Sequence, residues 1–213
     1  MARLKNGLLG SISGKISDVI GFIRYGKAFV KMKSIKSPKE RQPGQLEGQQ
    51  RMTVVNDFIN SMTEFVRIGF ALDAAKKTHS ANAAAKSYQM KNAVTGEFPS
   101  LEIDYPKVLL SKGNIDPPAN ASAVALVNGI KFNWELSRRT EVYHKRSRVM
   151  LLVYAPSLKK SLFTLSGASI LDKTGFLELP LEFKDQLLHA YITFLRDDQQ
   201  QISNSAYAGS ITY

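Results

Sequence analysis

The chain has no cysteine among its 213 residues. That excludes disulfides, thiolate metal sites and a cysteine nucleophile, and it leaves the redox compartment open, because a cysteine-free chain persists in any. No run of 18 apolar residues occurs either, so no transmembrane helix is expected. The opening Met1-Ala2-Arg3-Leu4-Lys5-Asn6 is basic, but Gly10, Ser11, Ser13, Gly14 and Lys15 interrupt the apolar residues beyond it, so the h-region of a secretory signal is missing. The expectation is cytoplasmic synthesis, with incorporation into a particle or export by a route other than a cleaved signal.

Motifs that announce a reaction are equally scarce. Histidine occurs three times, at His79, His144 and His189, with no H-x₃-H or H-E-x-x-H spacing, so a metal site would need ligands gathered from distant loops. Gly10-Ser-Ile-Ser-Gly14-Lys15 falls short of a P-loop: three residues rather than four separate the glycines, and Ile16 stands where Ser or Thr is needed. No G-x-G-x-x-G or G-x-S-x-G occurs. The Asp197-Asp198 pair sits in a turn-forming stretch, which accounts for it without catalysis. The chain is therefore read as non-enzymatic, with no resident cofactor and no metal site expected.

What is present in excess is positive charge. The net charge is +11, and residues 1–50 carry ten Lys/Arg against three Asp/Glu, a local +7. Charged residues make up 22% and hydrophobic ones 44%, globular proportions that argue against wholesale disorder. Within the basic stretch, residues 7–33 hold five glycines, too many for a helix, with β-prone runs between them. Asp18-Val19-Ile20, Phe22-Ile23-Arg24-Tyr25 and Ala28 to Lys33 predict a hairpin turning at Tyr25-Gly26-Lys27, with Gly26 supplying the positive φ. An isolated hairpin is barely stable in water, so it must lie on something, either its own body or a neighbouring subunit.

Beyond a polar connector with Pro38 and Pro43, the period changes. Met52, Val55, Phe58, Ile59, Met62, Phe65 and Val66 keep helical spacing within Leu46–Val66, with Gly69 as the stop. A second helix is expected from the N-cap Ser80 to about Ala93. From Glu102 onward, short strand-like runs recur: Tyr105–Leu110, Ala123–Val127, Ile130–Trp134, Val149–Tyr154, Leu162–Leu165, Phe176–Leu179, His189–Leu195 and Tyr207–Tyr213. Turn residues separate them, the pattern of an antiparallel β-sandwich. The expected class is α+β: a β-hairpin arm and connector over 1–45, a two-helix segment over 46–101 and a sandwich over 102–213.

The order Ile130-Lys-Phe-Asn-Trp134, then Tyr191-Ile-Thr-Phe, a polar turn and Ser203-Asn-Ser-Ala-Tyr207 resembles a fibronectin type III or immunoglobulin-like module. That likeness implies the tryptophan on an early core strand and the tyrosine on the penultimate one; Glu135 replaces the proline that often comes after that tryptophan. A likeness over nearly the whole chain rests on Met-Ala-Arg-Leu-Lys-Asn-Gly at the start, Ser13-Gly14-Lys15 with Gly21, Asn92-Ala93-Val94-Thr95-Gly96, and Ser203 to Ser210. Together these resemble an uncharacterised bacterial family, a domain of unknown function, which implies no known activity. The Gly-Lys, Gly, Arg arm with Gln42, Gln45, Gln49 and Gln50 after it is also similar to arms in phage-like particle proteins, although Arg24-Tyr25-Gly26-Lys27 stands where such arms have Trp-Lys-Gly.

These patterns define two candidate sites. The first is a subunit-contact arm, with Val19, Ile20, Phe22, Ile23, Phe29, Val30 and Met32 as anchors and Gly21 and Gly26 allowing the bend. Its partner would be another copy, giving a homo-oligomer or polymer (fibre, tube or particle component) built by strand exchange with a sandwich edge. The second is an anion or nucleic-acid contact formed by Arg24, Lys27, Lys31 and Lys33 together with Arg138, Arg139, Lys145, Arg146 and Arg148, where Tyr143 and Trp134 would stack bases. An acidic protein surface is the alternative partner for those charges.

Overall fold

The computed structural model describes the backbone of residues 3–4 and residues 10–24, 26–35, 40–75 and 79–213. Tyr25, Lys36 and Lys39 lie outside the described residues. The chain divides into two compact units, Met1–Gln42 and Pro43–Tyr213.

The first unit is a four-stranded antiparallel sheet in the order β1-β2-β3-β4, formed by β1 (Arg3–Leu4), β2 (Ile12–Ile16), β3 (Val19–Arg24) and β4 (Lys27–Met32). The predicted hairpin is β3–β4, in register from Val19↔Met32 to Arg24↔Lys27, with Gly26 at φ +74° in its turn. β2 is the addition. Its sequence, Ile-Ser-Gly-Lys-Ile, carries little strand propensity, yet it pairs with β3 through Gly14↔Gly21 and Ile16↔Val19. The two strands meet closely at Gly21, where a Cβ would stand 2.4 Å from the Ile12 carbonyl oxygen, so only glycine fits.

The second unit opens with four helices rather than two: α1 (Pro43–Asn60), α2 (Thr63–Gly69), α3 (Ala71–Ala75) and α4 (Ala81–Asn92). The long predicted helix breaks at Ser61-Met62, where hydroxyls take over the carbonyls of the last turn. Ser61 Oγ donates to Phe58 O at 2.9 Å and Thr63 Oγ1 to Asn60 O at 3.1 Å. The apolar spacing survives the break, and Val55, Phe58, Ile59, Met62, Phe65 and Val66 are all buried together. Gly69 ends α2, and it is also where the Leu110 carbonyl crosses, 2.2 Å from where a Cβ would be. Ser80 caps α4 as expected, accepting from Ala83 N at 3.2 Å.

A two-stranded ribbon, β5 (Val94–Thr95) with β6 (Glu102–Ile103), leads to the stretch predicted as the strand Tyr105–Leu110. No strand forms there. Pro106 lacks an N–H, and Tyr105–Lys107 is a single 3₁₀ turn. The segment after it is bonded by side chains instead of a ladder: Ser205 Oγ accepts from Leu110 N at 2.8 Å, and the Gln89 amide donates to Leu109 O and accepts from Leu109 N.

The remaining strands build two antiparallel sheets. β7 (Ala119–Leu126), β8 (Gly129–Glu135) and β11 (Thr174–Glu178) form one, in the order β11-β8-β7. β9 (Ser147–Ala155), β10 (Lys160–Thr164), β12 (Leu187–Arg196) and β13 (Ala206–Thr212) form the other, in the order β10-β9-β12-β13. A short helix, α5 (Arg138–Tyr143), joins β8 to β9. Ile130, Phe132 and Trp134 of β8 meet Val149, Leu151 and Val153 of β9 and Ala190, Ile192 and Phe194 of β12 in the core between the sheets. The opposite face of β9 and β12 presents Met150, Leu152, Tyr154, Tyr191 and Leu195 to the helices. The unit is thus three layers deep, and its middle sheet serves two cores. Trp134 and Tyr191 occupy the strands the fibronectin-like order implies, but Tyr191 faces the helices rather than the other sheet.

Candidate interaction faces of the N-terminal sheet

Side chains alternate across a strand, and directly paired residues of antiparallel strands share a face. The registers β2–β3 and β3–β4 therefore sort the first unit's residues into two sets. One set is Ile12, Gly14, Ile16, Val19, Gly21, Ile23, Ala28, Val30 and Met32, without a single charge. The other is Ser13, Lys15, Ile20, Phe22, Arg24, Lys27, Phe29 and Lys31. All four cations of β2, β3 and β4 fall on this second face, and these strands contain no Asp or Glu.

The apolar face is open to solvent. Ile16 is 49% exposed, Ile23 41%, Val30 64% and Met32 75%. β4 is moreover an edge strand, its outer N–H and C=O groups having no strand beside them in the sheet. On the basic face, Phe22 and Phe29 stack across the strands with ring centroids 5.6 Å apart, and Lys31 Nζ lies 5.9 Å from the Phe22 ring. Phe29 remains 42% exposed.

The predicted contact arm is therefore split. Val19, Gly21, Ile23, Val30 and Met32 share the apolar face, Ile20, Phe22 and Phe29 lie on the basic one, and Gly26 occupies the turn. Of the predicted anion contacts, Arg24, Lys27 and Lys31 come together on the basic face, and Lys33 lies just beyond β4. The face-sorting is open to sequence reasoning through the alternation of Lys27-Ala-Phe-Val-Lys-Met32. Ile12, Ile16 and Lys15 escape it, because β2 carries too little strand propensity to be read as a strand.

The second basic cluster belongs to the other unit. Arg138 and Arg139 begin α5, which Ser137 caps by accepting from Thr140 N at 3.1 Å; Lys145 and Arg146 come after it, all four exposed. Arg148 on β9 pairs with Asp197 at 3.4 Å, which neutralises part of the charge. Trp134 cannot serve as a stacking platform here. It is 2% exposed in the inter-sheet core, and its indole N–H donates to Ile170 O at 2.9 Å. Tyr143, 75% exposed, is the aromatic that stays on the surface.

One further cluster holds titratable groups. Under the helices, His189 stacks on Tyr105 with centroids 3.7 Å apart, and its Nδ1 lies 2.9 Å from Tyr207 Oη. Tyr191 Oη donates to Tyr105 O at 2.9 Å, and Tyr154 packs edge-on against Phe58. Burial lowers the His189 pKa to about 4; burial first, then the nearby Tyr105 and Asp57, raises that of Tyr154 to about 12. Every shift favours the neutral form, the direction burial imposes. Tyr105 and Tyr154 also line an open cleft of about 400 Å³ across which Lys159 pairs with Asp57 at 2.8 Å. Among the described residues no group of three or more His, Asp or Glu is placed to hold a metal ion, and no helix is long and apolar enough to cross a membrane.

The arrangement defines a mixed α+β protein: a helix-covered β-sandwich with a separate N-terminal sheet whose two faces differ in chemistry. Residues 11–209 match the family of unknown function DUF6266, and the chain belongs to that family. The match runs from the start of β2 into β13, so strands β2, β3 and β4 and the helix-covered sandwich up to β13 fall within one family match. No curated protein matches the chain.

Proposed function

We propose that the protein is a non-enzymatic building block that associates with copies of itself through its N-terminal sheet. The observation that carries this reading is the uncharged face on which Ile16, Ile23, Val30 and Met32 are exposed beside the half-buried Val19, on a sheet that ends in the edge strand β4. Apolar area of this kind is stabilised by being removed from water, by roughly 25 cal/mol per Å². Contiguous exposed patches typically mark interaction sites. An edge strand adds backbone hydrogen bonds to any chain laid beside it, so face and edge act together in strand addition. Where the surface that receives it is a different part of the next copy, such as a sandwich edge, the contact is head-to-tail and closes into a ring or continues as a fibre.

The test is mass photometry and negative-stain electron microscopy of the full chain beside Val30→Lys and Met32→Lys variants. Oligomers, fibres or tubes formed by the wild type and lost in both variants are expected. A wild type that stays monomeric at every concentration tested, or assemblies indifferent to both substitutions, overturns the reading.

A further inference from the structure

The apolar face leaves the other side of the same sheet unexplained. We propose that this basic face is a binding platform for single-stranded nucleic acid, a function distinct from self-association. Lys15, Lys27 and Lys31 are exposed there beside Arg24, and β2, β3 and β4 contain no Asp or Glu. Segregation this complete is not what solubility alone requires, since solubility is served by charges on either face.

The aromatic pair decides among polyanions. Along β4 the face reads Lys27, Phe29, Lys31, a cation on each side of a ring, with Phe22 stacked beside it from β3. Binding of unpaired nucleic acid combines a basic track for the phosphates with aromatic side chains on which bases stack. A duplex keeps its bases paired and stacked, so the rings gain nothing from it. An acidic protein would use the cations and leave the rings without a role. A β-surface of this size accommodates the backbone and a few bases, and because every base has a π-face, the binding is sequence-tolerant.

The experiment is fluorescence anisotropy with a labelled oligothymidylate of about 20 nucleotides and the full-length chain, titrated over a range of salt. Binding at about 50 mM salt is expected, with log K falling linearly in log salt at a slope near −0.7 per phosphate contacted. Phe22→Ala and Phe29→Ala each weaken it about tenfold at unchanged slope, because a ring is lost and no charge. Lys27→Gln and Lys31→Gln each make the slope shallower by about 0.7. Val30→Lys retains binding, which separates this site from the assembly face, and far-UV circular dichroism confirms that each variant keeps the wild-type strand content. No binding at low salt overturns the proposal. So does affinity indifferent to both phenylalanines, tighter binding of duplex, or dependence on Arg138 and Arg139 in place of Lys27 and Lys31. Capture by phosphatidylserine vesicles with no oligothymidylate binding assigns the face to a lipid surface and likewise overturns it.

Discussion

Lowering the pH from 7 to 4 should destabilise the fold through His189 in particular. The ring is 7% exposed, stacked on Tyr105 and bonded to Tyr207, and burial brings its pKa to about 4, against about 6.5 for an unperturbed histidine. Folding therefore excludes a proton that the unfolded chain accepts. The stabilisation of the neutral ring is complete above pH 6.5, declines as pH falls from 6.5 to 4, and changes no further below 4, where both states are protonated. A gap of about 2.5 pKa units corresponds to about 3 kcal/mol. Urea unfolding of the wild type and of His189→Gln, each monitored by circular dichroism at half-unit pH steps, isolates this contribution, because carboxylates titrate alike in both proteins. The wild type should lose about 3 kcal/mol more than the variant between pH 7 and pH 4. An NMR titration of the His189 ring should show a midpoint near 4. Parallel stability curves, or a midpoint near 6.5, would refute the reasoning.

Three further outcomes test other parts of the structure. Gly21→Ala drives a Cβ to 2.4 Å from the Ile12 carbonyl, so β2 should part from β3, and amide exchange of Ile16, whose pair with Val19 closes the two-residue turn, should accelerate at least tenfold. Ser111→Ala leaves the buried Thr193 Oγ1 and Ser203 O without the hydroxyl that now lies 2.9 Å from each; the cost should be about 1–3 kcal/mol in urea unfolding, with Thr193→Val adding less than its single-mutant value. Trp134→Phe removes the bond to Ile170 O and part of the volume between the sheets, and should cost about 2–4 kcal/mol by the same assay.

Much of the fold is legible where one periodicity dominates. The uninterrupted apolar run Val149–Tyr154 marks a strand covered on both sides, and Ser80 with the alanines after it marks α4. Two of the departures from expectation share a cause: side chains acting on backbone. Ser61 and Thr63 break a helix that its apolar spacing alone would continue. Gln89 and Ser205, from 20 and 95 residues away, hold the segment that β-propensity predicts as a strand. The α5 helix falls between the predicted strands Ile130–Trp134 and Val149–Tyr154, and Ser137, which caps it, is its one signal in the sequence. At the interaction faces the residue types are legible but their sorting is not, because sorting depends on register, and register depends on the unexpected strand β2.

The middle sheet governs how the second unit reaches its native state. β9 and β12 pair from Tyr154↔His189 to Ser147↔Arg196, separations of 35 and 49 residues. Until that pairing exists, neither the helices nor the three-stranded sheet has a surface to condense on, so the slowest step is a long loop closure that local structure cannot bypass. Folding should therefore proceed on the millisecond-to-second scale of β-sandwiches despite the four helices in front of it. The transition state should be centred on the contact of Leu152 with Tyr191, where those two strands meet in register.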